Sequence, residues 1–173
     1  MVKQFLIILS LVLTLSSAAY SQQQNKVVKD SRLNRDVLVG ICNNKGLQGP
    51  LFGTYFNQQY NNYKPDQKKI DLLKQNLNKT RITIVFGSWC GDSKMQVGRF
   101  YKILDETGFN HTRLTTIAVD RSIHAGTMNI KNLNIHRIPT FIVYYKGKEM
   151  GRIIESPNTS LENDLWEIVR KIK

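Results

Sequence analysis

The chain has 173 residues and carries 25 Lys and Arg against 13 Asp and Glu, a formal charge of +12 at pH 7 with three histidines counted neutral. That excess favours anionic partners or surfaces. The basic residues are scattered, however, with no dense run and no nucleic-acid motif, so they read as a solvated face and argue against nucleic-acid binding.

In chain order, Met1-Val2-Lys3 gives a short basic start, Phe5 to Leu15 an apolar stretch, and Ser16 to Ser21 a small-residue exit. This is the layout of a secretory signal peptide. The apolar stretch is shorter than the roughly 20 residues of a spanning helix, so no stable membrane anchor is expected after cleavage. Cleavage after Ala19 or after Ser21 satisfies the small-residue rule; Ser21 is preferred, leaving Gln22 first, and an uncleaved anchor is the alternative. Export, periplasmic or secreted, would put both cysteines, Cys42 and Cys90, where disulfides can persist. Two cysteines do not make a disulfide scaffold, and the remaining length of about 150 residues suffices for one domain with its own core. Three Asn-x-Ser/Thr triplets, at Asn78, Asn110 and Asn158, would carry glycans only in a eukaryotic secretory pathway.

From Gln22 to about Leu38 the chain is polar and charged, and a loosely ordered lead-in is expected. Leu51 to Tyr63 places Phe52, Tyr55, Phe56, Tyr60 and Tyr63 at helical spacing, an aromatic face that serves either as core or as a peptide-binding groove. Pro65-Asp66 is a good first turn for a helix to about Leu77, with Ile70, Leu73 and Leu77 inward. Ile82 to Phe86 reads as a strand. Gly91 to Thr107 reads as a helix with Val97, Phe100, Tyr101 and Leu104 on one face and Gly108 as its stop. Leu114 to Val119 is a second strand, His124 to Leu133 a short helix, and Thr140 to Tyr145 a third strand that turns at Lys146-Gly147-Lys148 into Glu149 to Ile154. A final helix, starting near Ser156-Pro157, lines up Leu161, Leu165, Ile168, Val169 and Ile172. The pattern predicts an α/β fold, a central mixed β-sheet flanked by helices, with a helical N-terminal extension.

Ser88-Trp89-Cys90-Gly91-Asp92-Ser93 lies where the first of these strands ends and its helix begins. Backbone N–H groups of a first helical turn lack intrahelical acceptors and carry partial positive charge, which favours a thiolate there. Thiolate is the nucleophilic form. The bland alternative is a small buried hydrophobe that precedes a helix.

Trp89-Cys90-Gly91-Asp92-Ser93 after a strand, Val119-Asp120 ending the next, and Ile138-Pro139-Thr140 leading into a third resemble the thioredoxin superfamily, over Arg81 to the C-terminus. With the leader and the extra N-terminal segment, the chain is most similar to exported bacterial members. The expected organisation is residues 1–21 as signal peptide, 22–80 as polar lead-in and helical extension, and 81–173 as thioredoxin-like domain, the last two forming one compact unit. The resemblance implies that Pro139 is a cis proline beside catalytic Cys90, and that the Ile138-Pro139 backbone holds extended substrate. It also makes Trp89, Gly91 and Asp92 part of the motif.

The motif departs from Cys-x-x-Cys at Ser93, which cannot attack a mixed disulfide. Its hydroxyl could hydrogen-bond to a Cys90 thiolate, while the Asp92 carboxylate would oppose ionisation. Cys90 would then act as a monothiol catalyst of disulfide exchange or reduction, with a thiol- or disulfide-bearing protein or small-thiol substrate and an external reductant. Cys42 is the candidate distant resolving thiol if its Cα comes within about 7 Å, and a static Cys42-Cys90 bridge is a further option. The competing readings are a redox-silent binding module on the same fold and a thiol peroxidase. Asp120 is either a buried proton-transfer group or a cap of the following turn. No metal site is indicated, since His111, His124 and His136 show no ligand spacing. No cofactor is indicated either, since no glycine-rich phosphate loop is present.

Overall fold

The computed structural model describes residues 24–172; the leader expected over residues 1–21 lies outside them. Its strands are β1 (Lys26–Asp30), β2 (Arg35–Ile41), β3 (Arg81–Phe86), β4 (Leu114–Ala118), β5 (Thr140–Tyr145) and β6 (Lys148–Ile154). Its helices are α1 (Asn44–Leu47), α2 (Gly53–Asn62), α3 (Gln67–Lys74), α4 (Gly91–Glu106) and α5 (Leu161–Val169). The strands form one mixed sheet in the order β1-β2-β4-β3-β5-β6. β3 and β4 run parallel, joined through α4, and all other pairs are antiparallel. The expected α/β architecture with a helical segment ahead of β3 is therefore the observed one.

The two faces of the sheet are packed differently. Ile82, Ile84 and Phe86 alternate along β3 into a large apolar cluster to which all five helices contribute, through Leu47, Phe56, Ile70, Phe100 and Leu165 among others. Val85 points the other way, into a smaller cluster with Ile117, Val119, Ala125, Ile130 and Ile138. The period of two along a strand assigns these sides. Phe100 and Phe141 stack at 4.3 Å between ring centroids at the centre of the large cluster.

Local chemistry sets the boundaries of α4. Gly108 takes φ +68°, and the N–H groups of Gly108 and Phe109 close on the carbonyls of Asp105 and Leu104 at 3.0 and 2.9 Å. This is the glycine-terminated helix end in which a left-handed residue satisfies the last carbonyls. Within the helix, a Cβ on Gly98 would come 2.5 Å from the Phe56 carbonyl oxygen, so only glycine admits α2 this closely.

Three expectations are corrected. The lead-in is not loosely ordered: β1 and β2 form a hairpin, and Val37, Leu38 and Val39 are buried. Its turn is held by Asp30, whose Oδ1 accepts from the N–H groups of Arg32 and Leu33 at 2.8 and 2.9 Å, with Asn34 at φ 49°. Residues 124–133 are not an α-helix. Left-handed Ile123 and Gly126 (φ 62° and 65°) and an isolated bridge between Ala125 and Met128 replace it, followed by a single 3-10 turn, Lys131–Leu133. The last helix starts at Leu161 rather than near Ser156, because the Ser160 side chain accepts from Asn163 N–H at 3.2 Å and caps it.

The aromatic run over 51–63 is mostly core. Phe52 and Phe56 are buried, Tyr60 and Tyr63 pack at the edge of the large cluster, and Tyr55 lies outside it, 43% exposed beneath the Lys94 ammonium.

Candidate active site

β3 delivers the chain to the rim of the sheet at Phe86, and the next four residues turn tightly into α4. Cys90 N–H donates to the Gly87 carbonyl at 3.0 Å, and the Cys90 carbonyl accepts from Lys94 N–H at 3.0 Å as the first bond of the helix. Cys90 is thus the residue immediately before the first turn of α4, in extended conformation, with its sulfur unused as a cap. The N–H groups of Gly91, Asp92 and Ser93 have no intrahelical partner at such a position. A Cβ on Gly87 would meet Ile138 and Trp89 at 2.7 and 2.8 Å, so glycine lets the turn close.

The Cys90 thiol, half-buried, donates to the Ile138 carbonyl oxygen at 3.4 Å. The Ile138-Pro139 peptide bond is cis. Both residues are buried, and the segment is fastened on either side: Thr140 Oγ1 donates to the Arg137 carbonyl at 2.6 Å, and Glu155 N–H to the Pro139 carbonyl at 2.7 Å. Cys90, Ile138 and Pro139 therefore meet at one rim of the sheet.

Trp89 is fastened on three sides. Its indole N–H donates to the Val119 carbonyl at 2.9 Å, its own carbonyl accepts from the Arg35 guanidinium at 3.2 Å, and the Arg121 guanidinium carbon lies 4.8 Å from its ring centroid. Ser88 is buried and accepts from Leu38 N–H at 3.1 Å. The hairpin and the loop after β4 are joined to each other as well, since Asp30 Oδ2 accepts from Arg121 N–H at 2.7 Å. Those backbone N–H groups, Arg121 first, hold the Asp30 carboxyl below its ordinary range against the opposing effect of burial. Arg35 and Arg121 were not legible as site residues, because only the register of the hairpin and the loop conformation bring them to Trp89.

Ser93 is fully buried, and its hydroxyl oxygen accepts from Gly87 N–H at 3.2 Å. Among the described residues it makes no hydrogen bond to Cys90; it fastens the turn. Asp92 lies in the first turn of α4, half-buried and with no ion pair among the described residues. Gly91 is exposed with open space where a side chain would go. Asp120 is a cap: its Oδ1 accepts from the N–H groups of Ser122 and His124, both at 2.8 Å.

Cys42 is elsewhere. It follows β2, donates its N–H to the Thr116 carbonyl at 2.8 Å, and belongs to the large cluster, whereas Cys90 packs against the small one. The two are unbonded and face opposite sides of the sheet. Burial pushes the Cys42 thiol up to about 12, with the Ala118 N–H acting weakly in the other direction.

Among the described residues no group of His, Cys, Asp and Glu is arranged to hold a metal ion. His111 pairs with Asp105 at 2.7 Å, His124 lies 3.5 Å from Asp120, and His136 is exposed.

No family model matches the chain, and no curated protein sequence matches it. Among solved structures it is similar to a Pseudomonas aeruginosa protein of unknown function, 12% identical over 68% of this chain and 78% of that one, at a TM-score of 0.46. It is also similar to mitochondrial thioredoxin 3 of Saccharomyces cerevisiae, 19% identical over 60% and 87%, TM-score 0.37. A Schistosoma mansoni thioredoxin is 23% identical over 64% and 95%, TM-score 0.39. Likeness at this level concerns fold alone. The chain has a thioredoxin-like fold, which the β3-α4-β4 crossover, the β5-β6 hairpin and the closing helix α5 define independently of these superpositions.

Proposed function

We propose that the protein is an exported thiol-disulfide oxidoreductase that works through Cys90 alone. The observation that carries this reading is the 3.4 Å contact between Cys90 Sγ and the Ile138 carbonyl beside cis Pro139. It joins a half-buried cysteine at a helix start to a fixed stretch of backbone, the stretch that the family resemblance assigns to holding extended substrate.

In the first step the Cys90 thiolate attacks one sulfur of a disulfide R–S–S–R′. The Cys90–S–S–R bond forms, the S–S bond of the substrate breaks, and R′S⁻ leaves and takes up a proton. An external thiol then attacks the mixed disulfide, forming R–S–S–R″ and regenerating Cys90. Neither Ser93 nor Cys42 takes part, the first being a hydroxyl bound to Gly87 N–H and the second a buried thiol on the other face. The basic, apolar and small-residue sequence from Met1 to Ser21 supports action outside the cytoplasm, on protein or small-thiol disulfides.

The test is adduct formation by intact mass. Reduced protein mixed with 2-hydroxyethyl disulfide should gain one mixed disulfide, map it to Cys90, and release it on addition of a free thiol. Cys42→Ala should keep the adduct and Cys90→Ala should lose it. Absence of any adduct at Cys90 would overturn the reading and leave a redox-silent binding module.

A further inference from the structure

Arg35 and Arg121 both contact Trp89, the residue before Cys90, one at its carbonyl and one at its ring, and come from two segments far apart in sequence. Both are exposed, and neither has a carboxylate partner among the described residues. The nearby acids, Asp30 directly across from Arg35 in the hairpin register among them, keep their charge but spend their oxygens on backbone N–H groups rather than on either guanidinium. Asp30 accepts from the backbone N–H groups of Arg32, Leu33 and Arg121, and Asp120 from those of Ser122 and His124. Asp36 precedes Val37 on β2 with the alternation that turns it to the opposite face from Arg35. The only opposing charge in the motif itself is Asp92.

A guanidinium pinned at one end to a backbone carbonyl, and another laid over an indole face, are held in place while their remaining N–H groups stay open to solvent. Two such groups held on the residue that precedes Cys90 attract an anion toward the motif, and the +12 charge of the chain adds long-range attraction of the same sign.

We infer that Arg35 and Arg121 select the substrates of Cys90, and that the preferred class is disulfides carrying carboxylates close to their sulfurs. This rests on the thiol reading of Cys90 and adds the substrate class. The chemistry is the exchange written above: a carboxylated disulfide gives up one carboxylated thiolate and leaves its other half bonded to Cys90.

The experiment compares rates of mixed-disulfide formation at Cys90 with dithiodipropionate, 2-hydroxyethyl disulfide and cystamine, which are dianionic, neutral and dicationic. At low ionic strength the dianion should react faster than the neutral probe by about threefold to tenfold and the dication more slowly, with the spread narrowing as salt is added. In Arg35→Gln/Arg121→Gln the ratio of dianion to neutral rates should fall toward one, and in Asp92→Asn it should rise. A glutamate-flanked peptide disulfide assigns the source: a gain for the small dianion marks carboxylated small thiols, a gain for the peptide marks acidic protein segments, and either supports the inference. An unchanged ratio in the double variant would overturn it. So would equal losses with all probes, which would make the arginines supports of the Trp89 turn. No adduct even with the neutral probe would overturn the thiol reading itself, and that arm separates the two failures.

Discussion

Two cysteines in one small domain sit in opposite circumstances. Cys90 lies at the rim of the sheet, half-exposed, between a helix start and the cis Ile138-Pro139 peptide. Cys42 is 5% exposed inside the large cluster, anchored by its N–H to β4. Burial alone penalises the anion of Cys42, while the rim leaves Cys90 open to a partner. Reactivity here is a property of address, and the sheet separates the two addresses as thoroughly as it separates its two cores.

The sharpest test of that contrast is alkylation of the reduced, folded protein. With its thiol raised from 9.0 to about 12, Cys42 should hold about a thousandfold less thiolate near neutral pH than an ordinary cysteine. It should therefore label only when the protein opens, and Cys90 should label first. Quantitative peptide mapping after iodoacetamide treatment checks this; equal labelling of both would break the comparison.

Next in size is the turn that holds Cys90. Ser93→Ala leaves Gly87 N–H buried without its acceptor and should cost about 1–3 kcal/mol in urea unfolding. Ser93→Cys should let the variant release its own mixed disulfide without added thiol, through a bond to Cys90. Release at the wild-type rate would show that position 93 cannot reach the adduct.

A third test uses pH. A thiol whose pKa is higher folded than unfolded contributes stability fully below the unfolded value, and that contribution is lost as pH rises toward the folded one. Melting temperature should thus begin to fall above about pH 9 through Cys42, and more steeply above about 10 through the tyrosines whose pKa is also raised, among them Tyr101, which burial raises to about 12, and Tyr60 and Tyr63, which carboxylate partners and burial raise. Cys42→Ala should flatten the first part of this decline, and Tyr101→Phe should lessen the second, leaving the share of Tyr60 and Tyr63.

The smallest effect compares the two cores directly. Ile84→Val in the large cluster and Ile130→Val in the small one delete the same methylene from sites 0% and 8% exposed. Losses of about 1.5 and about 0.5 kcal/mol are expected, the ends of the usual range, because loop 120–138 can relax where five helices cannot.

What could be read from sequence follows the range of the interactions involved. β3, α4 and β5 were legible because an apolar run, a helical stripe ended by Gly108 and a β-branched run each state their structure locally. The meeting of Cys90 with Pro139 was legible only through a family pattern. The hairpin was not, because its charged outward positions mask Val37 to Val39, and their burial depends on β4 some 75 residues away by the register Gly40 to Ala118. His124 to Leu133 was expected to be a short helix, but left-handed Gly126 lies within that stretch and left-handed Ile123 and Asn134 bound it. Arg35 and Arg121 depend on both of these segments, so nothing local marks them.

The strand order has a colloidal consequence. β4 carries Ile117 and Ala118, both buried, and β2 covers its outer side by pairing at Gly40 and Ile41. A chain beginning at residue 81 would leave β4 as a bare, apolar margin with unpaired backbone groups, a template for another copy. Such a truncation should precipitate or self-associate in light scattering where the longer chain stays dispersed. The hairpin, whose tip reaches Trp89, is on this account also the sheet's selvedge, the woven border that keeps one molecule from being stitched to the next.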